Sequence, residues 1–179
     1  MSIQAVEPPP PTTDHSSRGW HVTTRSSCNG DGSLLLDLYA ETCLEELSHL
    51  GWNLVDHRPL VLMHAQLREA QFGRRYPDLN RLTICVDGRP VGRLLLERGP
   101  SDLHLVDLCL IPSLRGQGIG TRLLRELLGE AAGEHLNVSV TVPAGNRTDQ
   151  LWERLGFTEV RRLDTLRMLC WRPSADVGG

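Results

Sequence analysis

The stretch best equipped for chemistry is Arg115-Gly116-Gln117-Gly118-Ile119-Gly120-Thr121, with three glycines at alternate positions just ahead of an amphipathic helical pattern. The first turn of a helix carries unpaired backbone N–H groups and a partial positive charge, so it attracts phosphate, and glycines let that phosphate approach the main chain closely. A diphosphate is the group such a loop accommodates. Two other glycine loops fail on spacing: a Walker-type loop ends in Gly-Lys-Ser/Thr, and a dinucleotide fingerprint needs glycine where Thr121 stands. A bare glycine-rich connection without ligand is the weaker reading.

The elements around the loop follow from periodicity. Residues 103–111 read as a strand stopped by Pro112, and in 118–133 the residues Ile119, Leu123, Leu124, Leu127, Leu128 and Ala131 fall on one helical stripe. Upstream, 81–86 and 91–97 are short apolar strands about the turn signal Asp87-Gly88-Arg89-Pro90. Downstream come a strand at 138–142, a short helix at 146–155 ended by Gly156, and two closing strands at 157–160 and 165–171. Nearer the start, 20–25 reads as a strand, and Asp31-Gly32-Ser33 as the cap of a helical run from Leu34 to Leu50. A second helix follows Pro59, with Leu60, Met63, His64 and Leu67 at helical spacing, and ends at Tyr76-Pro77-Asp78. This order implies an α/β chain whose mixed sheet is flanked by helices on both faces.

With 179 residues, one domain is the expectation. Residues 1–19, with Pro8-Pro9-Pro10-Pro11 and a polar run behind them, read as a disordered tail, 20–173 as the domain and 174–179 as a flexible end. A net charge of -3 gives no general attraction to nucleic acid or anionic lipid. No apolar run approaches the ~18 residues of a membrane span and no signal peptide is visible, so a cytoplasmic protein is expected. Cys28, Cys43, Cys85, Cys109 and Cys170 lack paired CxxC spacing, and His49, His57 and His64 lack a liganding pattern, so neither disulfide nor metal is expected.

The Arg-x-x-Gly-x-Gly pattern at 115–120 closely resembles the coenzyme A loop of the GNAT acetyltransferases. So does a second signature, Asn146 followed by Leu151-Trp152-Glu153-Arg154-Leu155-Gly156-Phe157, where the family has an Asn before a helix ending in Leu-Tyr-x-x-x-Gly-Phe. The resemblance covers 82–171 well and 34–77 weakly. It implies the GNAT fold, a twisted, mostly antiparallel sheet of about seven strands, and an N-acetyltransferase that binds acetyl-CoA and an amine together, the amine attacking the thioester directly. Monomer or homodimer, the protein would take an amine of a small molecule, peptide or protein as its partner. A non-catalytic acyl-CoA-binding sensor or structural subunit is the alternative.

By the same resemblance Arg115, Gly116, Gln117, Gly118, Ile119, Gly120 and Thr121 hold the diphosphate. Leu108 and Leu110 offer main-chain groups to the pantetheine arm, and the Leu110 N–H polarises the thioester carbonyl, as a fixed donor aimed at developing oxyanion charge would. Asn146 and Trp152 line the coenzyme. Trp152 stands where the family commonly has an acidic tyrosine, and an indole N–H is no useful acid; packing against pantetheine or the core is at least as good a reading. A protonated amine must lose a proton before attack, and His104 and Asp107, placed by strand alternation on opposite faces, are the base candidates. His104 is preferred because an unperturbed imidazole suits proton transfer near neutrality, although it also reads as an ordinary surface histidine and Asp107 as the ion-pair partner of an arginine. Asp37, Glu41, Glu45 and Glu46 on the first helix suit either a cationic acceptor or a solvated helix face.

Overall fold

A computed structural model describes residues 21–28, 31–32, 36–38, 40, 43, 54–145 and 148–173. The two tails, most of the first helical run with Glu41, Glu45 and Glu46, and Asn146 lie outside the described residues. The elements are β1 (Val22–Ser26), α1 (Leu54–Arg75), β2 (Asn80–Val86), β3 (Arg89–Arg98), β4 (Asp102–Leu110), a 3-10 turn (Pro112–Leu114), α2 (Ile119–Gly133), β5 (Asn137–Pro143), α3 (Asp149–Arg154), β6 (Thr158–Leu163) and β7 (Leu166–Trp171). They build one seven-stranded sheet in the order β1-β2-β3-β4-β5-β7-β6. Pairs β1/β2, β5/β7 and β6/β7 are antiparallel, and β4/β5 is parallel. This is the mixed sheet of about seven strands that the sequence implies.

Two compact units contribute to the sheet, one from Met1–Leu94 with Cys109–Leu114, the other from Leu95–Leu108 with Arg115–Gly179. In the first, Asp87 and Gly88 both take positive φ, 51° and 75°, the pairing a two-residue hairpin turn requires. Val91 to Leu94 of β3 are all buried, Arg93 among them, with its guanidinium paired to Glu69 of α1. A buried charge is tolerated only with such a partner.

The first unit corrects two expectations. Asp31 is itself in helical conformation and buried, and its carboxylate reaches back to accept the Cys28 N–H at 3.0 Å. Helix α1 starts ahead of Pro59, not after it. Near a helix start a proline forfeits only one backbone bond, so the chain keeps its helical path through it. The stripe Leu60, Met63 and Leu67 is half exposed, and Val61 and Ala65, one position round the helix, are buried instead.

In the second unit the expected stripe on α2 is buried in full: Ile119, Leu123, Leu124, Leu127, Leu128 and Ala131. Opposite strand β5 alternates, with Val138, Val140 and Val142 buried. Helix α3 starts at Asp149, shorter than expected, and is held by the Arg167 guanidinium, which pairs with Asp149 at 2.9 Å and with Glu159 at 2.6 Å. Among the described residues no helix is long and apolar enough to cross a membrane.

Candidate active site

The glycine loop closes onto α2 with Gly116 at φ 70° and Gly118 at φ 85°. L-residues with side chains pay roughly 1–2 kcal/mol in this left-handed region, which explains glycine at both positions. A Cβ added at either would meet nothing within 4 Å among the described residues. Gly118 forms the cap of α2, its carbonyl accepting the Arg122 N–H at 3.0 Å, and among the described residues no side chain caps the helix start. The first turn also lacks an acidic residue and instead brings Arg122 close behind it. Most α-helices satisfy their first N–H groups with a Ser, Thr, Asp or Asn cap; here glycine occupies that place.

Arg122 sharpens the electrostatics. Its Nε donates to Glu126 at 3.2 Å while its Nη2 is buried with no partner among the described protein groups. A buried guanidinium nitrogen calls for an acceptor. The main-chain N–H groups at such a helix start suit phosphate oxygens. Arg115, Gly120 and Thr121 are half-buried, Ile119 is buried, and Gly116, Gln117 and Gly118 are exposed. Among the described residues no three His, Cys, Asp or Glu side chains are grouped to share a metal ion.

Strand β4 has an irregular second half. It pairs with β5 only from Asp102↔Asn137 to Leu105↔Val140, although β5 goes on pairing with β7 as far as Pro143. Beyond Leu105 the two parallel strands part. Burial follows: Leu103 and Leu105 are buried in alternation with half-buried His104, but every residue from Val106 to Cys109 is half-buried. Leu108 lies in this parted stretch. Leu110, in the other unit, is buried, and the next residue, Ile111, donates its N–H to Val91 at 2.9 Å.

His104 sits at the last turn of the pleat before the parting, its Nδ1 2.9 Å from Ser139 Oγ on the paired position of β5. In the tautomer with Nδ1–H donating to Ser139, Nε2 carries the basic lone pair. Asp107 is half-buried in the parted stretch. Trp152 is buried, edge-on to Phe157 with ring centres 5.2 Å apart, and its Nε1 donates to Thr148 Oγ1 at 3.2 Å. Its one N–H is thus committed within α3's own first turn. Ser139, Thr148 and Arg122 have no signature in the local sequence; they gain meaning only from strand register and helix packing.

The model of the acetyltransferase (GNAT) family matches residues 44–157, well over half the chain. Solved structures similar to the chain include PaiA N-acetyltransferase from Thermoplasma acidophilum in complex with coenzyme A, at 15% identity and a TM-score of 0.63, covering 84% of this chain and 98% of that one. The ribosomal-protein-S18-alanine N-acetyltransferase from Escherichia coli is similar at 16% identity and a TM-score of 0.59, over 88% of this chain and 98% of that one. At such identities the likeness is one of fold.

Proposed function

We propose, from the premise that this chain belongs to the acetyltransferase (GNAT) family, that it moves an acetyl group from acetyl-CoA to a primary amine of a small molecule, peptide or protein. The observation that carries this reading is the loop at 115–121, two left-handed glycines leading into a helix that no side chain among the described residues caps. The main-chain N–H groups of Gly116 to Thr121 hold the diphosphate of acetyl-CoA, and Arg122 adds a guanidinium to the same charge.

Leu108 and Leu110 present strand main chain to the pantetheine arm, with the Leu110 N–H directed at the thioester carbonyl. The neutral amine nitrogen attacks that carbonyl carbon, the carbon–sulfur bond breaks, and the amine proton passes to His104, or to Asp107, directly or through water. A thiol pKa of about 8.5 makes the thiolate a tolerable leaving group, so Trp152 serves by packing and not as an acid. PaiA binds coenzyme A in its solved structure, which supports the choice of co-substrate.

The test is a thiol-release screen with acetyl-CoA over small amines, polyamines and peptide N-termini. Release of free coenzyme A thiol that depends on one amine class bears the reading out. Saturable coenzyme binding with no thiol release from any class would favour a non-catalytic acyl-CoA-binding module.

A further inference from the structure

We infer that Gly92 on β3 is a positioning residue for the acyl-transfer site, because the backbone of β4 occupies the place its side chain would take; this deepens the reading of Leu110 given above and rests on it. A Cβ at Gly92 would stand 2.3 Å from the Cys109 carbonyl oxygen, 2.8 Å from Leu110 Cδ2 and 3.2 Å from Leu110 Cα. The first of these is a backbone atom, so no side-chain rotation relieves it. Gly92 has no need of glycine for its φ, which is not positive; the requirement is purely for space.

The consequence lies in the Cys109–Leu110 peptide. A trans peptide is planar, with its C=O and N–H pointing in opposite directions. Seating the Cys109 carbonyl against Gly92 therefore aims the Leu110 N–H away from β3 and fixes its tilt. The adjacent Ile111 N–H bond to the Val91 carbonyl, 2.9 Å, locks the next peptide to the same strand. Val91 and Leu94 to Leu96 are buried, so β3 has little freedom to retreat. A methyl at 92 pushes this peptide plane round and misdirects its donor, and misplacement of a catalytic donor by about 1 Å costs roughly 10²-fold in rate.

The experiment compares wild type, Gly92→Ala and the control Gly129→Ala, whose Cβ meets nothing within 4 Å among the described residues. It records the thioester carbonyl stretch of bound [1-13C]acetyl-CoA by infrared difference spectroscopy, together with the coenzyme Kd. In wild type and Gly129→Ala the stretch moves to lower frequency on binding. In Gly92→Ala it returns most of the way to the free position, with Kd within about threefold of wild type because the diphosphate loop is untouched. An unchanged stretch in Gly92→Ala overturns the inference, as does a Kd that weakens tenfold or more. Wild type that binds no acetyl-CoA overturns the parent reading instead. Should Gly92→Ala not fold, hydrogen exchange of the wild-type Ile111 amide decides: protection before coenzyme is added upholds a preformed approach of the two strands, and fast exchange until coenzyme arrives overturns it.

Discussion

Arg25 and Asp31 are joined in a two-pronged ion pair, Nη1 to Oδ2 at 2.6 Å and Nη2 to Oδ1 at 2.7 Å, which ties the end of β1 to a buried carboxylate six positions on. The same carboxylate accepts the Cys28 N–H at 3.0 Å and the Thr83 hydroxyl at 3.1 Å, so it also ties that corner to β2. Asp31 is buried and Arg25 is partly exposed. The guanidinium, helped by the Cys28 and Thr83 hydrogen bonds, holds the Asp31 carboxyl well below its ordinary value of 3.8, against the opposing effect of burial.

Asp31→Asn should therefore destabilise the protein by about 2–3 kcal/mol at pH 7, the worth of hydrogen bonds to a buried charge. The sign with pH follows from the depressed folded-state value. The stabilisation is complete above the unfolded carboxyl pKa near 3.9 and drains away as pH falls below it. Urea denaturation from pH 7 to pH 2.5 should show wild type and variant converging below about pH 4. A gap that stays constant down to pH 2.5 would remove Asp31 from this role.

Replacing His104 by Gln should lower kcat by about 10²–10⁴ and flatten the acidic limb of the pH–rate profile. Ser139→Ala should keep most of the rate while displacing that limb, since it removes the Nδ1 partner and with it the preference for one tautomer. If Asp107→Asn abolishes the limb and His104→Gln does not, the base is Asp107.

Trp152→Tyr should leave turnover equal or faster, because under the proposed mechanism a phenol at this position would donate to the departing thiolate a proton that the indole cannot. Stability should fall by about 1–3 kcal/mol, as the smaller ring leaves a void against Phe157. A tenfold or larger fall in kcat with the melting temperature little changed would show that the indole itself has a part in turnover.

The features legible in the sequence are those governed by neighbours along the chain. The loop at 115–121 and the α2 stripe from Ile119 to Ala131 are written at fixed local spacing, and the Asp87-Gly88 turn by residues that tolerate positive φ. Other features depend on residues far away in the chain. The carboxylate of Asp31 reads locally as a cap, and only Arg25 and Thr83, which is 52 positions distant, reveal it as a buried hub. Arg93 interrupts an apolar strand without warning, its partner Glu69 lying on a helix 24 positions earlier. Leu60, Met63 and Leu67 carry a helical period, yet which side of α1 is covered is set by what packs there. The close approach of Cys109 to Gly92 has no local sign at all, since a glycine in a strand reads equally as a bulge, a weak point or a contact.

The glycine loop bears the whole functional reading, and the most direct measurement of it is calorimetric titration of acetyl-CoA into wild type and Gly118→Val. Wild type should bind one equivalent saturably, and the variant, forced to place a β-branched side chain at φ 85°, should bind at least about tenfold more weakly while keeping the wild-type circular dichroism. No heat of binding from folded wild type at millimolar acetyl-CoA, or equal affinity in the two proteins, would contradict it.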